Sequence, residues 1–132
     1  MTRLLTRWMR ERLSIQQDVK RGHPGILLAQ QSFGDQIKIH PHFHVLTTAG
    51  LFLPDGSFYS VSDFDETELT ARLRRSVLSS LVRRNLLLPE NAAKMMGWPL
   101  KRSGFNVYAG PVVQARTATG CADWCATCCG LR

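Results

Sequence analysis

Cysteine, acidic residues and long apolar runs are scarce in this sequence, and each shortage bears on the class of protein. No cysteine precedes Cys121, which excludes the disulfide framework of a small secreted domain. No apolar run approaches the roughly 20 residues that span a bilayer. Charged residues interrupt the N-terminal segment where a signal peptide needs its apolar stretch, namely Arg7, Arg10, Glu11 and Arg12. We therefore expect a cytoplasmic protein without a transmembrane segment.

Basic residues outnumber acidic ones. The chain has 17 Lys and Arg against ten Asp and Glu, a formal net charge of +7 at pH 7. Such an excess in a soluble chain favours polyanion partners and fits nucleic acid. The length of 132 residues corresponds to about one domain or a piece of one.

Three histidines recur at every second position in the run Ile39-His40-Pro41-His42-Phe43-His44-Val45-Leu46. On a β-strand this spacing puts His40, His42 and His44 on one face and the apolar side chains on the other. Neutral imidazole is a good metal ligand, and a strand fixes the spacing of the rings. The pattern therefore predicts a divalent-metal site. The competing interpretation is that these histidines only form hydrogen bonds at a strand end.

Two blocks of the sequence carry a resemblance to a known family. The first block is Ser32-Phe33-Gly34-Asp35-Gln36-Ile37-Lys38-Ile39-His40-Pro41-His42-Phe43-His44-Val45-Leu46, followed by Asp55-Gly56-Ser57-Phe58. The second block is Trp98-Pro99-Leu100-Lys101-Arg102-Ser103-Gly104-Phe105-Asn106-Val107-Tyr108-Ala109-Gly110. Together they resemble the core of the HUH-type, or two-tyrosine, rolling-circle transposases of bacterial insertion sequences. The hallmark of that family is histidine, hydrophobic residue, histidine, and the resemblance extends from about Pro24 to Val113.

The resemblance implies an α+β fold, in which an antiparallel sheet carries the His-hydrophobic-His strand and helices pack on it. It implies an incomplete HUH endonuclease-like catalytic domain over residues 1–113 and a function in DNA transposition. The implied partner is DNA, specifically single-stranded transposon ends, and no membrane. The implied location is the bacterial cytoplasm, in association with the nucleoid.

The resemblance also implies the chemistry. In proteins with this motif the two histidines, here His42 and His44, bind Mg²⁺ or Mn²⁺, which polarises the scissile phosphate. A tyrosine then attacks, leaving a 5′-phosphotyrosine link and a free 3′-hydroxyl on single-stranded DNA. The metal is needed because a phenol with a pKa of about 10 is a poor nucleophile at neutral pH. A third protein ligand is normally required, and we expect His40, with Gln30 or Gln31 from the neighbouring strand as alternatives.

The nucleophile is the weak part of the match. The two tyrosines are Tyr59, in a predicted hairpin, and Tyr108, on a predicted strand. The family's tyrosine lies on a helix beyond the point where the resemblance ends. Tyr108 is the candidate in this chain, and we expect that the true nucleophile is absent and that the chain alone is inactive. The alternative is a small basic nucleic-acid-binding module without catalysis, in which the histidines are structural.

Apolar periodicity and breakers predict the elements around the motif. Helices are predicted over Leu4–Val19, from the start signal Ser62–Glu66 to about Arg84, and over Pro89–Met96. Strands are predicted over Ile26–Ala29, from the histidines to Gly50, over Phe58–Val61 and over Gly104–Gly110. Pro41 cannot donate a ladder hydrogen bond, so the histidine strand is predicted at an edge or with a local bulge.

Basic side chains decorate the later helices. Arginine forks satisfy DNA phosphates well, although a solvated helix face is the commoner meaning of such charge. The predicted DNA-binding residues are Arg72, Arg75, Arg83, Arg84, Lys101 and Arg102.

After Val113 the character of the chain changes, and residues 114–132 have no apolar periodicity. We hypothesise a disordered or out-of-frame tail from a disrupted gene. With permitted codons, a one-base change of frame reads D-R-D-G-L-R-G-L-V-R-Y-M-L-R-P-P, which has the family's shape. The rival interpretation is a zinc site, but the cysteines lack two separated Cys-x-x-Cys pairs and two of them are adjacent. These cysteines are Cys121, Cys125, Cys128 and Cys129.

Overall fold

The computed structural model describes residues 1–13, 19–33 and 39–110, without the side chains of residues 33, 39 and 40. These ranges contain three α-helices, two short 3-10 helices and four strands, and the strands pair as two antiparallel two-stranded sheets. The predicted α+β class is thereby confirmed. The described residues form two compact units: a helical unit, Met1–Lys20 with Val61–Gly110, and a sheet unit, Arg21–Ser60.

The first helix of the helical unit, α1, spans Thr2–Arg12. Its apolar residues recur at helical spacing and bury Leu5, Trp8 and Met9, which confirms the predicted amphipathic face. The predicted extent was wrong, because the helix begins earlier and Leu13 leaves the helical dihedral angles (φ −96°, ψ 5°). The predicted last residue, Val19, belongs instead to a 3-10 turn over Val19–Arg21.

The second helix, α2, spans Glu66–Arg83 and begins where the acidic start signal predicted. Asp65 is its N-cap: Oδ1 accepts a hydrogen bond of 2.9 Å from the backbone N–H of Glu68. This contact satisfies a backbone donor that the first turn of a helix leaves without a partner. The third helix, α3, spans Pro89–Met96, as predicted, with proline in its first turn and Gly97 as its C-cap.

A ring contact and a set of ion pairs join α1 to α2. The Trp8 ring lies 5.1 Å from that of Phe64, and its indole N–H donates to Oε2 of Glu68 at 3.0 Å. Glu68 also pairs with Arg12 at 2.8 Å and with Arg72 at 2.7 Å. These donors, the Trp8 indole first among them, hold the pKa of Glu68 below its ordinary value.

The predicted strand over Gly104–Gly110 is wrong, because this segment forms no sheet ladder. It runs instead against α2. The N–H of Val107 donates to Oγ1 of Thr70 at 3.0 Å, and that of Ala109 donates to Oε1 of Glu66 at 2.8 Å. Alternate residues of this segment are partly buried and the others are exposed, so the predicted period-2 alternation is present. The alternation indicates that one side of the segment is buried, but it does not identify whether a helix or a strand packs against that side.

The sheet unit contains two strand pairs. Strand β1 spans Ile26–Phe33 and pairs with β2, Ile39–Thr47, which carries the histidines. Strands β3, Gly50–Phe52, and β4, Phe58–Ser60, form the predicted hairpin around Gly56, whose φ of +87° suits glycine. His23 forms an isolated two-residue bridge with Phe52.

The histidine strand ends earlier than predicted. It stops at Thr47, and Gly50 already belongs to β3. The Thr48 side chain accounts for the break: its Oγ1 accepts from the N–H of Gly25 at 3.0 Å and donates to the carbonyl of Gly50 at 2.9 Å. Such a local side-chain contact competes with continuation of the strand. At Gly50 an added Cβ would lie 2.1 Å from the carbonyl oxygen of Tyr59, so this position admits glycine alone.

Candidate functional site

His42 and His44 lie two residues apart on β2 and therefore point to the same side of the β1–β2 ribbon. Their ring centroids are 5.0 Å apart, with the planes at 70°. Both side chains are partly buried. The paired imidazoles predicted from the spacing are thus close neighbours on one face.

The register of the ribbon adds a third polar side chain to this face. Gln31 is opposite His42, and residues opposite each other on paired strands share a face. Oε1 of Gln31 lies 3.2 Å from Nε2 of His44. When Nε2 carries the ring proton, it donates to this amide oxygen. We name Gln31, His42 and His44 the histidine cluster.

Gln30 is separated from this cluster by the alternation of β1. Its partner across the ribbon is Phe43, so it belongs to the opposite face. The Gln30 side chain is exposed, and that of Gln31 is partly buried. Of the two glutamines considered as third ligands, the structure therefore brings only Gln31 to the histidines.

A register irregularity lies at the start of β2. Gln31 is opposite His42, but Phe33 is opposite Ile39, so one residue of β1 faces two of β2. Such a shift is a β-bulge, and the prediction of an edge or bulged strand around Pro41 is confirmed. The His40 side chain lies outside the described part of the chain, so its role as third ligand stays a prediction.

The donor set determines what the cluster can bind. Within residues 1–13, 19–33 and 39–110, no group of three or more His, Cys, Asp or Glu side chains is arranged to hold a metal ion. A site built from described side chains must therefore include a different donor, and the amide oxygen of Gln31 is one. Two imidazole nitrogens and one carbonyl-type oxygen form a mixed set that suits ions between the soft and hard classes.

Both tyrosines of the chain lie outside the helices. Tyr59 is on β4, opposite Leu51, as predicted for the hairpin. Tyr108 is 80% exposed and belongs to the extended segment along α2. Neither residue has the helical setting that the family resemblance implies for the nucleophile.

The predicted DNA-binding residues fall into two groups. Arg72 is held in ion pairs, with Glu11 at 2.6 Å and with Glu68 at 2.7 Å, and these partners raise its pKa. Its charge is therefore largely neutralised within the helical unit. The other five side chains are exposed to solvent: Arg75, Arg83, Arg84, Lys101 and Arg102.

Sequence reasoning did not single out Arg74, which is buried, with 9% of its surface exposed. Its guanidinium donates to the carbonyls of Trp98 at 2.8 Å and Met96 at 3.1 Å. These carbonyls lie at and just after the C-terminus of α3, where a helix leaves acceptors unpaired and favours a cation. The signal that could have marked Arg74 is its helical spacing, i+3, i+4 and i+7, to the apolar residues Val77, Leu78 and Leu81.

Two predicted features fall outside the described residues, namely the C-terminal tail and the cysteine zinc site. Among the helices that are described, none is long and apolar enough to span a membrane.

Comparison with known families finds a match to the family described as "Putative transposase" (Y2_Tnp), over residues 25–120. The match includes the histidine strand, all of α2 and α3, and the segment along α2. It extends beyond Val113, the predicted end of the resemblance. Searches of curated proteins and of solved structures found no match. Because the matched range is most of the chain, this protein belongs to that transposase family, and membership implies DNA as its partner.

Proposed function

We propose that this chain is the metal-binding part of an HUH-type transposase that acts on single-stranded DNA by a rolling-circle mechanism. The observation that carries the proposal is the histidine cluster: two histidines on one strand face, with Oε1 of Gln31 3.2 Å from Nε2 of His44. Family membership supports the transposase role, and the formal charge of +7 supports a polyanion substrate.

The spacing of the donors suits an octahedral divalent ion. Two ligands that bind an octahedral ion at right angles, each at about 2.1 Å, are about 3.0 Å apart. The separation of 3.2 Å between Gln31 and His44 is close to this value. Binding through Nε2 requires a lone pair on that nitrogen, so the metal competes with a proton there and binds more weakly at acidic pH. Mg²⁺ and Mn²⁺ are the ions proposed, with phosphate oxygens and water as the remaining ligands.

A divalent ion bound by this cluster would withdraw charge from a scissile phosphate. The contribution of the protein is to hold the donors on a strand, where β-sheet geometry fixes their spacing before the ion arrives. In the proposed reaction a tyrosine hydroxyl loses its proton as its oxygen forms a bond to phosphorus. The bond from phosphorus to the 3′ oxygen breaks, and the 3′ oxygen takes up a proton. The products are a 5′-phosphotyrosine and a 3′-hydroxyl.

We assign the nucleophilic attack on phosphorus to neither tyrosine of this chain. Tyr59 is in a hairpin and Tyr108 is in an extended segment, so neither has the helical setting of the family nucleophile. We therefore propose that the isolated chain binds metal and DNA but does not form a covalent link to DNA.

Calorimetric titration with Mn²⁺, in the presence of a single-stranded oligonucleotide, tests the metal site. The wild-type chain should bind, and the His42→Ala, His44→Ala double variant should not. His23→Ala is the matched control, because it removes an imidazole from the sheet unit outside β2 and should leave binding unchanged. Equal binding by the wild type and the double variant would remove the histidine cluster from the proposal.

A second pair of variants identifies the third ligand. Gln31→Ala removes a ligand and should weaken Mn²⁺ binding by at least about 10- to 100-fold, the cost of losing even an outer-shell partner at a metal site. Gln30→Ala, on the opposite face of the same strand, should leave binding at the wild-type level. If instead His40→Ala has the large effect and Gln31→Ala has none, the third ligand is His40.

The second candidate function is a basic nucleic-acid-binding module without catalysis. The exposed cations on α2 and after α3 favour it, because they bind phosphates whether or not a metal is present. This candidate predicts DNA binding that is indifferent to metal and to loss of the histidines. The calorimetric experiment separates it from the transposase proposal.

A further inference from the structure

Trp98 is an unusual exposed residue. It follows α3, and 48% of its surface is accessible, whereas Trp8 of the same unit is fully buried. An exposed indole offers a flat, polarisable surface of the kind on which nucleic-acid bases stack.

The backbone below this ring is fixed. The buried Arg74 guanidinium donates to the Trp98 carbonyl at 2.8 Å, and the Trp98 N–H donates to the Met95 carbonyl at 3.3 Å. The following residues turn back at once, because the N–H of Arg102 donates to the carbonyl of Pro99 at 2.9 Å. Trp98 is therefore presented from a rigid turn between α3 and a 3-10 helix, Leu100–Arg102, and not from a freely moving loop.

The charged residues that flank Trp98 in the sequence are all basic. Lys101 and Arg102 follow Trp98 within this short turn, Lys94 precedes it on the last turn of α3, and all three are exposed. No acidic residue occurs between Glu90 and Asp123. An exposed aromatic ring among cations, with no carboxylate nearby in sequence, is complementary to a chain of phosphates that carries stackable bases.

We propose that Trp98, Lys101 and Arg102 form a base-stacking site for single-stranded DNA, separate from the histidine cluster. The ring stacks on an unpaired base, and the two cations contact the phosphates beside it. Stacking on an exposed side chain requires a free base face, which a paired and stacked duplex does not offer. The choice of single-stranded DNA as ligand rests on the proposed function, but the site itself needs no metal.

The test uses the full chain and a fluorescein-labelled oligo-dT in EDTA, with binding followed by fluorescence anisotropy. Trp98→Leu keeps apolar bulk but removes the aromatic face, and its affinity should fall by about 5- to 150-fold. Trp98→Phe keeps a ring and should stay within a few-fold of the wild type. A duplex of the same length should bind all three proteins equally.

The contribution of Lys101 and Arg102 is measured separately, through the salt dependence of the affinity. In Lys101→Gln, Arg102→Gln, the slope of log affinity against log salt concentration should become shallower by about 1.4, corresponding to two phosphate contacts on a single strand. The matched control removes two exposed cations from elsewhere in the helical unit, Arg3→Gln with Lys20→Gln, and should keep the wild-type slope.

Three results would overturn the proposal. These are absence of oligo-dT binding by the wild type in EDTA, wild-type affinity in Trp98→Leu, and equal loss of single-stranded and duplex binding in that variant. Failure of the metal proposal would leave oligo-dT binding in EDTA unchanged. His42→Ala, His44→Ala should keep oligo-dT binding in EDTA whether or not the histidine cluster holds Mn²⁺.

Discussion

The helical unit and the sheet unit use their polar and aromatic residues in opposite ways. In the helical unit, Trp8 is fully buried and Glu68 receives hydrogen bonds from both α1 and α2. In the sheet unit, the β1–β2 ribbon leaves large apolar side chains exposed, with Leu27 at 59% and Phe43 at 43%. The contact between α1 and α2 thus pairs its polar groups internally, although the buried Nε of Arg74 on α2 has no hydrogen-bond partner among the described residues. The ribbon leaves apolar side chains uncovered.

This difference indicates where ligand binding should add stability. Three helices with a buried indole and paired charges have a core of their own. A two-stranded ribbon is marginal by itself and gains most from anything that joins its strands. The histidine cluster joins them, because Gln31 comes from β1 and the histidines come from β2. We therefore expect substitutions in the helical unit to change stability and substitutions in the cluster to change binding.

The largest expected effect is that of Trp8→Ala. This change removes a fully buried ring, its contact with Phe64 and its hydrogen bond to Glu68, and should cost about 3–5 kcal/mol of unfolding free energy. Denaturant unfolding followed by circular dichroism measures this loss. Trp98→Ala is the matched control and should cost less than about 1 kcal/mol, because its ring is half exposed. Similar losses in the two variants would remove the contrast between a buried and a ligand-facing indole.

A smaller effect is expected from Glu68→Gln. The carboxylate receives charge-assisted hydrogen bonds from Trp8, Arg12 and Arg72, but its side chain is 30% exposed, so we expect a loss of only about 1 kcal/mol at pH 7. Because folding lowers the pKa of Glu68, its contribution is present above the pKa of the unfolded chain and disappears as the pH falls through the folded value. The difference between wild type and variant should therefore shrink below about pH 4.

The control for this prediction is Glu90→Gln, which removes an exposed carboxylate from the first turn of α3. It should change stability by less than about 0.5 kcal/mol at pH 7. A Glu68→Gln difference that persisted undiminished in acid would show that packing, and not the charge, is responsible.

Much of the fold was predictable because local signals agreed with the final structure. Asp65 caps α2, Pro89 opens α3, Gly97 ends it and Gly56 forms the hairpin turn, each for a backbone reason contained in one or two residues. One of the failures depends on a distant partner. The alternating segment after Gly104 has a helix as its neighbour, and no local pattern identifies a neighbour.

The candidate site was also predictable only where it depends on local signals. The spacing of His42 and His44 gave their common face, since alternation is a property of the strand alone. The choice of Gln31 over Gln30 required the register between two strands, which the sequence left open. The hydrogen bonds of the buried Arg74 and the ion pairs of Arg72 likewise depend on which helix packs where, so the partners of the four arginines on α2 could not be predicted from the sequence.

The smallest expected effect on stability is that of His42→Ala with His44→Ala in the absence of metal. Both side chains are only partly buried on a ribbon face, so the double variant should lose less than about 1 kcal/mol. With Mn²⁺ at 100 times its dissociation constant, the wild type should gain about 2.7 kcal/mol, because the ion binds the folded state alone. The variant should gain nothing. Thermal unfolding with and without Mn²⁺ measures both quantities, and Gln30→Ala serves as the strand control that keeps the gain. A large loss without metal would mean that the histidines stabilise the ribbon by their own contacts, and the division between a self-sufficient helical unit and a ligand-dependent ribbon would then fail.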